Sequence, residues 1–163
     1  MRAAVFRIAE GRHRREAQAL LGEEFAGIAC SDRWWAYDYL DAERRQFCWA
    51  HLVRDFTAHS EGLGAQKEFG AGGLEIAKRL FAAWEQCRGD AGRERLAERI
   101  DPLQQELRAL LEQAARKSAT TRYHRTFAKN LLKRWPALWT FAAVPGVEPT
   151  NNHAERGLRG AVI

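Results

Sequence analysis

Cysteine is scarce in this chain: Cys30, Cys48 and Cys87 are the only three. So few, and an odd number, favour a reducing compartment and buried thiols over a disulfide framework. No apolar run approaches the ~18–20 residues that a membrane-spanning helix needs. The opening MRAAVFRIAEGR has no extended apolar segment, so no signal peptide is read there. Internal repeats and low-complexity tracts are missing too, which excludes a solenoid or a compositional linker. The most informative gap is one of charge. Between Glu112 and Glu148 there is no Asp or Glu, while Arg116, Lys117, Arg122, Arg125, Lys129, Lys133 and Arg134 all fall inside. An acid-free basic stretch suits a polyanionic partner, most often nucleic acid; it is also what a solvated helix face can look like.

What is present is an ordinary globular composition, 46% hydrophobic and 29% charged over 163 residues. That length suits one domain, or one with a large insertion. The net charge of +5 and pI near 9.4 come from the later part of the chain. Residues 1–60 hold nine Arg and nine acids and are neutral.

The first sixty residues read as alternating strand and helix. AAVFRIA (3–9), FAGIACS (25–31) and RRQFCWA (44–50) are the strands. RREAQALL (14–21), DRWWAYDYL (32–40) and HLVRDFTAH (51–59) are the helical stretches. That order predicts an α/β sheet. EGLGAQKEFGAGG (61–73) is Gly-rich and reads as a loop or hinge. Helical spacing then returns in 74–87, 93–117 and 120–135, with Asp101-Pro102 suited to starting a separate helix. No strand signal appears between residues 51 and 143.

Within the last of these helices, Arg122, Arg125, Lys129 and Lys133 share one face, and Tyr123, Phe127 and Leu131 the neighbouring one. A basic stripe beside an apolar stripe fits a helix packed on a core and facing phosphate. Many plain amphipathic helices show the same pattern.

Three positions carry candidate chemistry. Asp32 follows a buried strand, where ligands bind in open α/β sheets; it could equally cap the segment that follows. Cys48 and His51 have the C-x-x-H spacing of half a zinc site, short of the four ligands a structural site takes. Glu155 stands in NNHAERGLR (151–159), among amides and guanidiniums that suit phosphate recognition. It could instead close a capping box from Asn152, or pair with Arg159.

Taken together and in order, SDRWWAYDYL, FCWAHLVRDF and EPTNNHAERGLRGAVI closely resemble the transposases of the insertion-sequence sixty-six group. The resemblance covers essentially the whole chain. It implies a ribonuclease H-like mixed sheet with a large helical insertion. Residues 1–60 would be the α/β part, 61–143 the insertion, and 144–163 the returning segment with the catalytic Glu. Asp32 and Glu155 match two members of a DDE triad that holds Mg²⁺ or Mn²⁺ for cleavage and transfer of DNA strands. Cys48 and His51 match the family's C-x-x-H pair; Asn151, Asn152, Arg156 and Arg159 match the surroundings of its Glu, with the arginines on phosphate.

The triad's first Asp lies upstream of AAVFRIAEGR in that family. None of Glu10, Glu16, Glu23 or Glu24 stands in a matching motif. The resemblance therefore reads the chain as a transposase fragment, truncated at both ends and inactive alone. An open sheet edge would favour a homo-oligomer. DNA is the implied partner, membranes are not, and the implied setting is the bacterial cytoplasm and nucleoid. Two other readings are a DNA-binding remnant without catalysis and a structural zinc protein.

Overall fold

The structure, a computed structural model, describes residues 11, 13–22, 24–87, 92–116 and 122–151. The segment AAVFRIA and the residues Asn152, Glu155, Arg156 and Arg159 lie outside the described residues.

Helix α1 (Arg14–Leu21) stops where Gly22 turns to φ 87°, a conformation glycine adopts without steric cost. Strand β1 (Ala29–Ser31) pairs in parallel with β2 (Arg45–Phe47), in the register Ala29↔Arg45, Cys30↔Gln46 and Ser31↔Phe47. The rest is helical: α2 (Trp49–Ser60), α3 (Ala65–Gln86), α4 (Arg93–Ala115), α5 (Arg122–Lys133) and the short α6 (Thr140–Ala143). The fold is α/β in kind and mostly helix in content.

The strands are shorter than the apolar runs that announce them. Residues 25–28 lie outside β1, and Trp49 already belongs to α2. Strand β2 is buried throughout because its second edge is closed by the chain around α6. Thr140 Oγ1 donates to the Arg45 carbonyl at 2.5 Å, and the Phe141 amide donates to Gln46 Oε1 at 2.7 Å. The Trp49 indole donates to the Leu138 carbonyl at 2.9 Å. A glutamine inside the core is thus satisfied rather than stranded.

Three further sequence expectations are corrected. Residues 32–40 form no α-helix; only a single 3-10 turn, Trp35–Tyr37, appears. The Asp38 carboxylate is taken by Arg45 and Arg134, which pins the segment by its side chains instead of a helical ladder. Pro102 starts no new helix, because α4 runs through it unbroken. The carbonyl left without a donor belongs to Glu98, on the exposed side, where water can serve it.

The Gly-rich stretch 61–73 is not a hinge either. Helix α3 begins at Ala65 and includes Gly70, Gly72 and Gly73. A Cβ on Gly70 would lie 2.1 Å from the Ser60 amide nitrogen, and one on Gly73 would lie 2.2 Å from the Phe56 ring. Glycine here lets α2 and α3 cross almost backbone to backbone. The requirement is for closeness, and in sequence it looks like flexibility.

One apolar cluster runs through these elements, from Phe47, Trp49, Leu52 and Phe56 through Leu80, Ile100, Leu107 and Leu131 to Phe141. From α5 it takes Phe127 and Leu131 as the spacing predicts, whereas Tyr123 stays 60% exposed. On the other face Arg122, Lys129 and Lys133 are exposed and Arg125 is half-buried.

Candidate active site

The end of β1 opens into a cleft of about 310 Å³ lined by Asp32, Arg33, Trp34, His51, Arg54 and Asp55. Asp32 reaches it because it is the first residue past the strand. Ser31 is still held in the ladder, its carbonyl accepting the Cys48 amide at 2.9 Å. Helix α2 starts at once after Cys48, and its His51, Arg54 and Asp55, spaced i, i+3 and i+4, present one face to the cleft. The positive end of the helix dipole also lies on this side.

Asp32 Oδ1 accepts the Trp34 amide at 3.0 Å. The turn-capping role open to it in sequence is therefore realised. Among the described residues no hydrogen bond reaches its other oxygen, so capping leaves that oxygen available to a ligand. The second acid of the cleft is committed. Asp55 Oδ2 accepts from Arg33 Nη2 at 2.6 Å and from Arg33 Nε at 3.0 Å. The same guanidinium lies 4.7 Å from the centre of the Phe127 ring, joining the cleft to α5.

Cys48 and His51 differ in exposure. Cys48 is buried at the N-cap of α2, and its Sγ accepts the Asn151 amide at 3.4 Å. His51 faces the cleft. Burial, and then the neighbouring Cys48 and Glu148, push the Cys30 thiol up to about 12, so it carries no thiolate at neutral pH. Among the described residues no three His, Cys, Asp or Glu side chains are grouped to hold a metal ion. Asp32 suits a hard cation as a carboxylate with one uncommitted oxygen, but the described residues do not complete a divalent site around it.

Asn151 is the last described residue, and its position matters. Besides its bond to Cys48, the same stretch of chain gives the Pro149 carbonyl to the Trp49 amide at 2.9 Å. Residues 149–151 are thereby laid along the start of α2, beside the strand ends. The structure brings together Asp32, His51, Cys48 and Asn151. The basic stripe of α5 sits apart from the cleft lining, connected through Arg33 and Phe127.

Sequence reading missed Arg33, Trp34, Arg54 and Asp55. The i, i+3, i+4 spacing after His51 was a usable signal for two of them. Arg33 and Trp34 had none beyond their adjacency to Asp32.

The family model described as Transposase IS66 family matches residues 1–163. No curated protein and no solved structure matches the chain.

Proposed function

The chain belongs to the Transposase IS66 family, and from that premise we propose that the Asp32 cleft is part of a DNA-cutting centre of DDE type. One observation carries the reading. The Asn151 amide is bonded to Cys48, whose own amide is bonded to the residue before Asp32. Two motifs distant in the chain therefore meet at one strand end. Glu155 follows Asn151 by four residues, a reach of at most about 14 Å even fully extended.

In this reading residues 1–60 belong to a ribonuclease H-like unit, 61–143 are its helical insertion, and 144–163 return Glu155 to Asp32. Asp32 and Glu155 would hold Mg²⁺ or Mn²⁺. Bound there, the metal supplies activation of water or a 3′-hydroxyl and stabilisation of the leaving oxygen. The protein's own groups position the strand. Arg54 and the N-terminus of α2 attract the phosphate, Arg33 is kept in place by Asp55, and Arg156 and Arg159 add phosphate contacts. With two matching carboxylates in this sequence where the triad has three, we expect DNA binding without strand transfer.

Iron-directed cleavage tests the site without needing turnover. Fe²⁺ with ascorbate and peroxide should cut the chain near Asp32 and again near Glu155. Mg²⁺, Asp32→Asn or Glu155→Gln should suppress both cuts. Scattered cutting, or cutting at one place only, defeats the shared-metal reading. Strand transfer by this chain in Mn²⁺ that vanishes in Asp32→Ala would overturn the expected silence.

The exposed cationic face of α5 favours a second reading, in which the chain binds DNA and the acids are idle. Both readings predict that log affinity falls as log salt rises, less steeply by about 0.9 for each phosphate contact removed by Lys129→Glu or Lys133→Glu. They part on metal: only the first predicts that Mg²⁺ alters binding in a way Asp32→Asn abolishes.

A further inference from the structure

Of the six tryptophans, Trp49 and Trp139 are buried, three are half-buried, and Trp35 alone is exposed, at 54%. A single apolar residue at the surface needs no explanation by itself, but this one adjoins the cleft. The Trp35 ring meets Trp34 edge-on, with centroids 6.2 Å apart and planes at 70°. Trp34 lines the cleft and is fixed twice: its amide donates to Asp32 Oδ1, and its ring meets Tyr37 at 5.6 Å and 86°. The aromatic step is thus locked to the carboxylate, with Arg33 and Arg54 on the same cleft.

Resting on the DNA-cutting reading above, we propose that Trp34 and Trp35 form a stacking step for an unpaired base of the strand whose phosphate lies at Asp32. Within a duplex both faces of a base are covered by its neighbours, so an indole beside the backbone gains nothing from it. A base freed from the stack offers its face, and the indole gains contact area it otherwise leaves in water. The arginines hold the backbone while the ring holds the base. The site then takes a frayed or single-stranded end in preference to closed duplex. Stacking is tolerant of base identity, so this step adds no sequence preference.

The test uses the full chain and two synthetic DNAs of one sequence, a blunt duplex and a duplex ending in an unpaired 2-aminopurine. Wild-type protein should quench the 2-aminopurine and prefer the frayed DNA. Trp35→Leu should lose the quenching and weaken frayed-DNA binding on the order of tenfold, leaving blunt-duplex affinity unchanged; Trp35→Phe should restore most of both. Equal binding of the two DNAs, or an unchanged preference in Trp35→Leu, overturns the stacking step while leaving the DNA-cutting reading standing. A Trp35→Leu chain that changes oligomeric state but not DNA preference assigns the indole to a protein contact and also overturns it. Failure to bind either DNA overturns both proposals together.

Discussion

The backbone amide of Asn151 donates to the sulfur of Cys48, 3.4 Å away and 103 residues earlier in the chain. Cys48 is at once the residue after β2, the N-cap of α2 and the anchor of the returning segment. Its place in a C-x-x-H pair suggests metal; its contacts show a packing and docking role.

Shortening Cys48 to alanine should therefore do more than open a small void. We expect a loss of about 1 kcal/mol or slightly more from the cavity and the lost acceptor. The Asn151 and Trp49 amides should also exchange faster with solvent than the interior of α2 does. Hydrogen exchange on Cys48→Ala measures both, and unaltered protection at Asn151 would show that the sulfur does not hold the segment.

The glycines of α3 divide into two kinds. Gly70→Ala and Gly73→Ala push a Cβ against the Ser60 backbone and the Phe56 ring, and each should cost about 1–3 kcal/mol or more from overpacking. Gly72→Ala meets only Leu110 side-chain ends at 3.3–3.4 Å. There the gain in helix propensity, up to ~1 kcal/mol, should roughly cancel or exceed the crowding. Urea unfolding of the three variants should rank Gly72→Ala well above the other two; a flat series would mean the helices can separate at little cost.

Asp38 joins two distant arginines. It accepts from Arg45 Nη1 at 2.8 Å and from Arg134 Nε at 2.9 Å, with a second, shorter bond to Arg134. Burial alone would raise its pKa, but the hydrogen bonds and charges of Arg134 and Arg45 hold the carboxyl below its usual range. Arg45 is 1% exposed, and its Nε and Nη2 have no partner among the described residues. Asp38→Asn leaves that cation uncompensated. We expect a cost of about 2–4 kcal/mol, below that of a fully buried pair because Asp38 is partly solvated. The Asp38 contribution is complete above the unfolded value of 3.8 and is lost as pH falls through the lower folded value. Denaturation of Asp38→Asn at pH 7, and of the wild type down an acid series, checks both.

His59 and His124 face each other at 5.7 Å, 0% and 1% exposed, among Phe69, Phe127 and Tyr123. No hydrogen bond reaches any of their four ring nitrogens among the described residues. Burial pushes both below the usual 6.5, and for His59 the facing His124 and Arg33 add to it while Asp55 opposes. The unfolded chain therefore takes up protons first as pH falls. Stability should be full above about pH 6.5 and decline below it. Thermal melts between neutral and mildly acid pH should show this slope, and His124→Phe should flatten it; an unchanged slope would place the sensitivity elsewhere.

Much of the local structure was decided by the sequence itself. Helix α1 matches RREAQALL residue for residue, because both ends are punctuated and one face is apolar. The helical character of 74–86, 93–115 and 122–133, the positions of both strands, the basic face of α5 and the placement of Asp32 at a strand end all follow from periodicity and turn chemistry over a few residues. Family membership was likewise legible, since three motifs in order are a property of the string. What the string could not supply was anything that depends on two segments meeting. Whether Gly70 and Gly73 bend or pack depends on α2 lying against them. Whether 32–40 becomes a helix depends on Arg45 and Arg134, which together hold Asp38. The cleft of Asp32, Arg33, His51, Arg54 and Asp55 exists only once α2 lies against the end of β1, and Asn151 joins it only through Cys48. Propensity and pattern act between neighbours in the chain, whereas close packing, buried charge and hydrogen-bond satisfaction act between neighbours in space, and only the folded chain determines who those are.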